Sequence, residues 1–146
     1  MADLSNGGGI NLLIYVIRRN KRPAESMRKN YSLIHHGFCD SKVPIVIVVT
    51  GCEKVQPTMD TWWIENEGSF TQARMLFDGH ACVCTFKGAE TNGRFRNEDL
   101  VEESVEVIKQ IVVQHCTGDG WKQVWHLRSK SSEGEERIEI FSLATD

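Results

Sequence analysis

The sequence contains no apolar run long enough to cross a membrane and little excess charge of either sign. A membrane-spanning helix needs about 20 consecutive apolar residues, and no run here comes close to that length. The net charge of −3 does not favour general nucleic-acid binding. The opening residues MADLSNGGG lack the basic-then-apolar order of a secretory signal. We therefore predict a cytoplasmic protein that binds neither membranes nor nucleic acids.

Cysteines with metal-ligand spacing are also missing. The chain has five cysteines, an odd number, and no Cys-x-x-Cys motif. This pattern favours reduced, buried thiols over a disulfide framework or a zinc site. His35 and Cys39 are four residues apart, but two ligands do not make a zinc site. We expect no metal and no cofactor, and Cys82 and Cys84 should point to the same face of a strand.

Three apolar runs alternate with three helical patterns along the 146 residues. The runs span residues 10–17, 43–49 and 80–86, and the helical patterns span 24–36, 58–75 and 97–116. Short apolar runs that alternate with helices are typical of a parallel α/β sheet that is buried on both faces. Right-handed crossovers place the helices on both sides of such a sheet. We therefore predict a three-layer αβα domain around a three-stranded parallel sheet.

The two ends of the chain differ from this pattern. Residues 1–9 include Ser-Asn-Gly-Gly-Gly, from which we expect a disordered leader. The domain is predicted to span 10–118. The tail, 119–146, carries two apolar stretches, GWKQVWHL and RIEIFSL, that could pair as a short hairpin.

Two of the predicted strands end in similar polar turns. The second strand ends in Thr50-Gly51-Cys52-Glu53, and the third ends in Thr85-Phe86-Lys87-Gly88. Ligands of open α/β sheets bind at the carboxyl ends of the strands, so these turns are candidates for a binding site. The Glu53 carboxylate can accept two hydrogen bonds from a base. Plain strand-ending turns, with Gly51 at positive φ, explain the same residues without a ligand.

Four segments in order resemble the second half of a P-loop GTPase domain. They read NLLIYVIR, VPIVIVVTGCE, TWWIENEGSF and FDGHACVCTFKG, over roughly residues 9 to 116. The likeness is to fungal G-domain proteins related to the immunity-associated (AIG-type) GTPases. It implies that Thr50, Gly51 and Glu53 occupy the guanine-reading turn. It also implies that Thr85, Phe86 and Lys87 occupy a second turn, whose backbone N–H donates to guanine O6.

The chain departs from that family in its phosphate-binding half. The phosphate-loop string GxxxxGK[ST] does not occur, and neither does the Asp-x-x-Gly metal loop at its family spacing. Gly51 replaces the lysine whose stem packs over the base. The resemblance therefore implies a partial P-loop NTPase-like fold that lacks its N-terminal P-loop half. Such a truncated or degenerate G domain would bind GTP or GDP weakly, hold no Mg²⁺ and be no enzyme by itself.

Two other interpretations remain open. The chain could be a fragment of a full-length, working GTP-binding protein. It could also be a protein-interaction module that uses an exposed sheet edge. The strand at 10–17 is central in a whole G domain, and a free edge there invites self-association or a protein partner, unless the RIEIFSL stretch covers it.

Overall fold

The computed structural model describes residues 9–116 and 136–141. The three strands of the parallel sheet are β1 (Leu12–Arg18), β2 (Ile45–Thr50) and β3 (Gly79–Cys82), in the spatial order β3-β2-β1. The three helices that follow them along the chain are α1 (Glu25–Tyr31), α2 (Thr61–Gln72) and α3 (Glu98–His115). The predicted alternation of three parallel strands with three helices is confirmed.

The sheet is buried on both faces, which explains its apolar strands. Leu13, Tyr15 and Ile17 of β1 join one core cluster, with side chains from α1 and α2. Leu12 and Ile14 point the other way and join a second cluster, which includes Ile111 of α3. Side chains alternate between the faces along a strand, so each strand contributes to both cores. The helices thus form two outer layers around the sheet, as predicted.

The third strand is shorter than predicted because its neighbour ends. β2 stops at Thr50, so β3 has no partner backbone much beyond Cys82. Val83 N–H still donates to Val49 O at 2.8 Å. The next available backbone donor, Cys84 N–H, turns to the Ser104 hydroxyl on α3 instead, at 2.8 Å. The predicted strand end at residue 86 was therefore wrong, and residues 83–86 lie in the connection that follows β3.

The connection between β3 and α3 contains a small hairpin that is not among the predicted strands. Its strands are β4 (Glu90–Thr91) and β5 (Arg94–Phe95), paired antiparallel. Asn92 and Gly93 join them with φ values of 53° and 78°. An Asn-Gly pair with both φ values positive is the turn that two-residue hairpins favour, so the sequence carried this signal.

A fourth strand from the tail joins the main sheet. β6 (Glu136–Phe141) pairs antiparallel with β1 over the full length of β6, from Leu12↔Phe141 to Ile17↔Glu136. The tail therefore covers the β1 edge. The sequence predicts pairing of this strand with another chain only if the tail leaves the edge free. The GWKQVWHL half of the predicted hairpin lies outside the described residues.

The helices differ in detail from their predicted bounds. α1 continues directly into a π-helical segment, Ser32–Phe38, which ends with Cys39 N–H donating to Ile34 O at 3.0 Å. α2 passes through Gly68 without interruption. Among the described residues, no helix is long and apolar enough to cross a membrane.

Candidate functional site

The two predicted base-binding turns lie side by side at the carboxyl ends of β2 and β3. Gly51 adopts a φ of +78°, which turns the chain away from the sheet directly after Thr50. Cys52 N–H then donates to Val83 O at 3.1 Å. This bond fixes the turn after β2 against the chain that leaves β3. The structure thus brings the two candidate segments together, as the sequence predicted.

Thr50 and Gly51 have structural roles that need no ligand. The Thr50 hydroxyl donates to Ile17 O at 3.2 Å, and its carbonyl accepts from Arg19 N–H at 3.0 Å. Both bonds join the end of β2 to the end of β1. The positive φ of Gly51 favours glycine there, and lack of space does not. An added Cβ would come no closer than 4.0 Å to the Arg19 side chain. For these two residues, a plain strand-ending turn accounts for the geometry.

Glu53 is different, because one oxygen of its carboxylate is buried without a partner. Within the described part of the chain, only Glu53 Oε2 and His35 Nδ1 are buried side-chain atoms that lack a hydrogen-bond partner. The neighbouring Cys84 thiol donates to Phe86 O at 3.2 Å. Burial raises the pKa of that thiol, and the Glu53 carboxylate raises it further. Buried oxygens are nearly always hydrogen-bonded, so Glu53 Oε2, which the Cys84 thiol approaches from one side, is a candidate acceptor for a donor of a ligand.

The second turn is exposed on its outer side and anchored underneath. Thr85 is exposed, and the Phe86 ring is 68% exposed. Lys87 extends its ammonium group over the Phe95 ring, 5.2 Å from the centroid, in a cation–π contact. The turn therefore presents a backbone segment and a large apolar ring at the rim of the site, while Lys87 is engaged with the small hairpin.

Asn97, directly before α3, and Ser104 within α3 hold this second turn, and sequence reasoning did not assign either residue to the site. Asn97 Nδ2 donates to Phe86 O at 3.0 Å, and Asn97 N–H donates to Lys87 O at 2.8 Å. The Ser104 hydroxyl is buried, accepts from Cys84 N–H at 2.8 Å and donates to Leu100 O at 2.6 Å. An Asn directly before a helix is expected to cap that helix, and a Ser within a helix is expected to face solvent. No local pattern could have shown that they reach a turn on another element.

Two shallow cavities lie elsewhere, between α1 and the C-terminal part of α2. Their volumes are about 340 and 440 Å³, and they share Glu25, Arg28 and Ala73. Cationic side chains outnumber carboxylates around them: Arg22, Arg28, Lys29 and Arg74 against Glu25. Lys29 is paired with Glu25 at 3.2 Å. None of the six predicted site residues lines either cavity, and long surface cations are usually solvated.

Within residues 9–116, the structure contains no cluster of three or more histidine, cysteine or acidic side chains arranged to hold a metal ion. Comparisons with protein-family models, with curated proteins and with solved structures found no match. The class of protein defined so far is an α/β domain with a mostly parallel four-stranded sheet and helices on both faces. Its function has to be argued from the turns at the carboxyl edge of that sheet.

Proposed function

We propose that the chain is a truncated or degenerate G domain with a partial P-loop NTPase-like fold. In this proposal it keeps the guanine-reading turn, binds GTP or GDP weakly and does not hydrolyse GTP. The observation that carries the proposal is the buried, unpartnered Oε2 of Glu53 at the carboxyl end of β2. Removing a carboxylate oxygen from water without a donor is costly, so a ligand that supplies donors would explain why the residue is there.

Guanine has the required donors. Its N1–H and its exocyclic amino group lie side by side and can both bond one carboxylate, whereas adenine offers no matching pair. The position of the second turn supports the same assignment. The first turn is bonded to the chain just before the second turn, since Cys52 N–H donates to Val83 O. A base held by Glu53 would therefore lie beside the Thr85–Lys87 backbone.

The expected affinity is low. Hydrogen bonds to a charged group contribute about 1.5–3 kcal/mol each. Two such contacts contribute about 3–6 kcal/mol in total, and a binding free energy of about −4 kcal/mol corresponds to a millimolar dissociation constant. Tight nucleotide binding in P-loop proteins depends on the phosphate loop, and the sequence contains no GxxxxGK[ST] string to form one. The same absence removes the groups that position Mg²⁺ and the γ-phosphate for hydrolysis.

The test is a titration followed by backbone amide chemical shifts. Millimolar GMP should perturb residues 50–54 and 85–88, and AMP should perturb them less. Glu53→Ala should erase the difference between the two nucleotides. The matched control is Glu65→Ala, since Glu65 is an exposed carboxylate on α2, and it should leave the difference intact. Equal responses to GMP and AMP in the unaltered chain would refute the proposal.

The interaction-module alternative now involves a different edge of the sheet. β6 occupies the edge of β1, so the strand at 10–17 is not available as first proposed. β3 has one partner strand, β2, among the described residues. If both nucleotides give equal responses, a partner that adds a strand beside β3 becomes the better proposal, and perturbation of residues 79–82 by that partner would support it. The fragment alternative is tested by the gene itself, where a GxxxxGK[ST] string encoded in frame upstream of Met1 would favour it.

A further inference from the structure

Cys52 and Cys82 come from different elements but lie together on one face of the sheet. Both belong to the core cluster between the sheet and the helices α1 and α2. Cys82 lies next to Val49 in the register of β3 on β2. Cys52 folds back towards the same residue, and its thiol donates to Val49 O at 3.4 Å. Its backbone N–H donates to Val83 O, the carbonyl of the residue after Cys82, at 3.1 Å.

Both thiols lie beside Val49, and they differ in acidity. The interaction with the Cys82 thiol lowers the pKa of the Cys52 thiol, and the nearby Arg19 guanidinium lowers it further. The same interaction raises the pKa of the Cys82 thiol. Burial raises the pKa of the other three cysteines, that of Cys39 to about 11. Cys52 therefore carries the thiol of the five that ionises most readily, with a second thiol beside the same residue, Val49.

We propose that Cys52 and Cys82 form a redox-active dithiol pair, which hydrogen peroxide converts into a disulfide. This inference does not depend on guanine binding. Cys52 is fully buried and Cys82 is 6% exposed. A small oxidant such as hydrogen peroxide therefore suits this site better than a bulky disulfide reagent. A bond here would tie the turn after β2 to β3 and would fix the position of Glu53, which follows Cys52 directly.

The reaction has two balanced steps. The Cys52 thiolate sulfur attacks one peroxide oxygen, the O–O bond breaks, and hydroxide leaves and takes up a proton to become water. Cys52 is then a sulfenic acid. The Cys82 sulfur attacks the Cys52 sulfur, the S–O bond breaks, and the hydroxide that leaves takes the Cys82 proton as a second water. Two thiols are oxidised to one disulfide while one peroxide is reduced to two waters.

The test uses the full, folded chain. The reduced protein is treated with hydrogen peroxide, quenched, alkylated after unfolding, digested with trypsin and analysed by mass spectrometry. We expect a disulfide between peptide 43–54, which holds Cys52, and peptide 75–87, with reversal by dithiothreitol. Peptide 75–87 contains both Cys82 and Cys84. The Cys84→Ser variant therefore resolves the partner, and it should still form the linked peptide.

Further variants sharpen the test. Cys82→Ser should stop the reaction at the sulfenic acid of Cys52, trapped with dimedone. Cys52→Ser should leave Cys82 reduced. Cys116→Ser, just after α3, is the control variant and should form the same disulfide as the unaltered chain. Any link to Cys84 or Cys39, or no faster alkylation of Cys52 than of Cys39 in the native protein, would overturn the proposal. The last comparison needs no variant, so it holds even if a substitution prevents folding.

Discussion

Replacing Glu53 by methionine should make the folded chain more stable. Methionine matches glutamate in length and removes both carboxylate oxygens, including the buried Oε2 that has no partner among the described residues. A buried polar group without a partner costs about 1–3 kcal/mol. Glu53 as a whole is only half-buried, so the lower end of that range applies. We expect the free energy of unfolding to rise by about 1 kcal/mol.

Urea denaturation measures this change. For a small domain the denaturant slope is about 1–3 kcal/mol per molar urea, so the midpoint should rise by roughly 0.3–1 M with an unchanged slope. Glu65→Met is the matched control, because it makes the same chemical change at an exposed position of α2. The control should alter the free energy of unfolding by no more than about 0.5 kcal/mol.

The opposite result would refute the reasoning. If Glu53→Met lowers the midpoint, the carboxylate is stabilising the empty fold, and its position needs no ligand to explain it. If it raises the midpoint and also abolishes the difference between GMP and AMP, stability and binding oppose each other at one residue. Such a trade-off is expected where a side chain is kept for a ligand and not for the fold.

Three further predictions follow from other parts of the structure. The purified chain should release no phosphate from GTP above a no-protein control, with or without Mg²⁺, and release that survives extensive purification would show a catalytic site that we have missed. A chain that ends at residue 135 loses β6 and exposes the β1 edge. Light scattering should show that it dimerises or aggregates where the full chain does not, and a clean monomer would show that this edge does not pair with another chain. Burial lowers the pKa of His35 below its usual 6.5, so the fold favours the neutral ring. The unfolded chain then binds the proton first, and stability should fall as pH drops below about 6.5, a loss that His35→Gln should reduce if His35 causes it.

Local sequence was sufficient for the alternation of strands and helices. The runs at 10–17 and 43–49 are apolar at nearly every position, which a strand buried on both faces requires, and β1 and β2 are found there. The stripe of apolar residues in α3 gave its position to within a residue or two. The hairpin of β4 and β5 is equally local, since Asn92-Gly93 marks its turn.

For the candidate site, the sequence determined the two turns and their adjacency. Strands that neighbour each other in a parallel sheet end at the same edge, so the turns after β2 and β3 had to meet. The sequence could not give the state of each side chain. Thr50 bonds β1, Lys87 contacts Phe95, and Glu53 keeps a buried oxygen that has no hydrogen-bond partner among the described residues. Those differences depend on neighbours that belong to other elements of the fold.

Three features were decided only by tertiary structure, and each joins residues far apart in sequence. An alternating stretch such as RIEIFSL can form a strand, but its pattern does not say which strand it pairs with or in which direction. The same holds for the position of Cys52 and Cys82 beside Val49, and for Asn97 and Ser104 beneath the second turn. Side-chain periodicity reports which face a residue occupies, and it contains no information about its partner. Partners are selected when the whole chain packs, because only then do the free energies of burial and hydrogen bonding of separate segments compete.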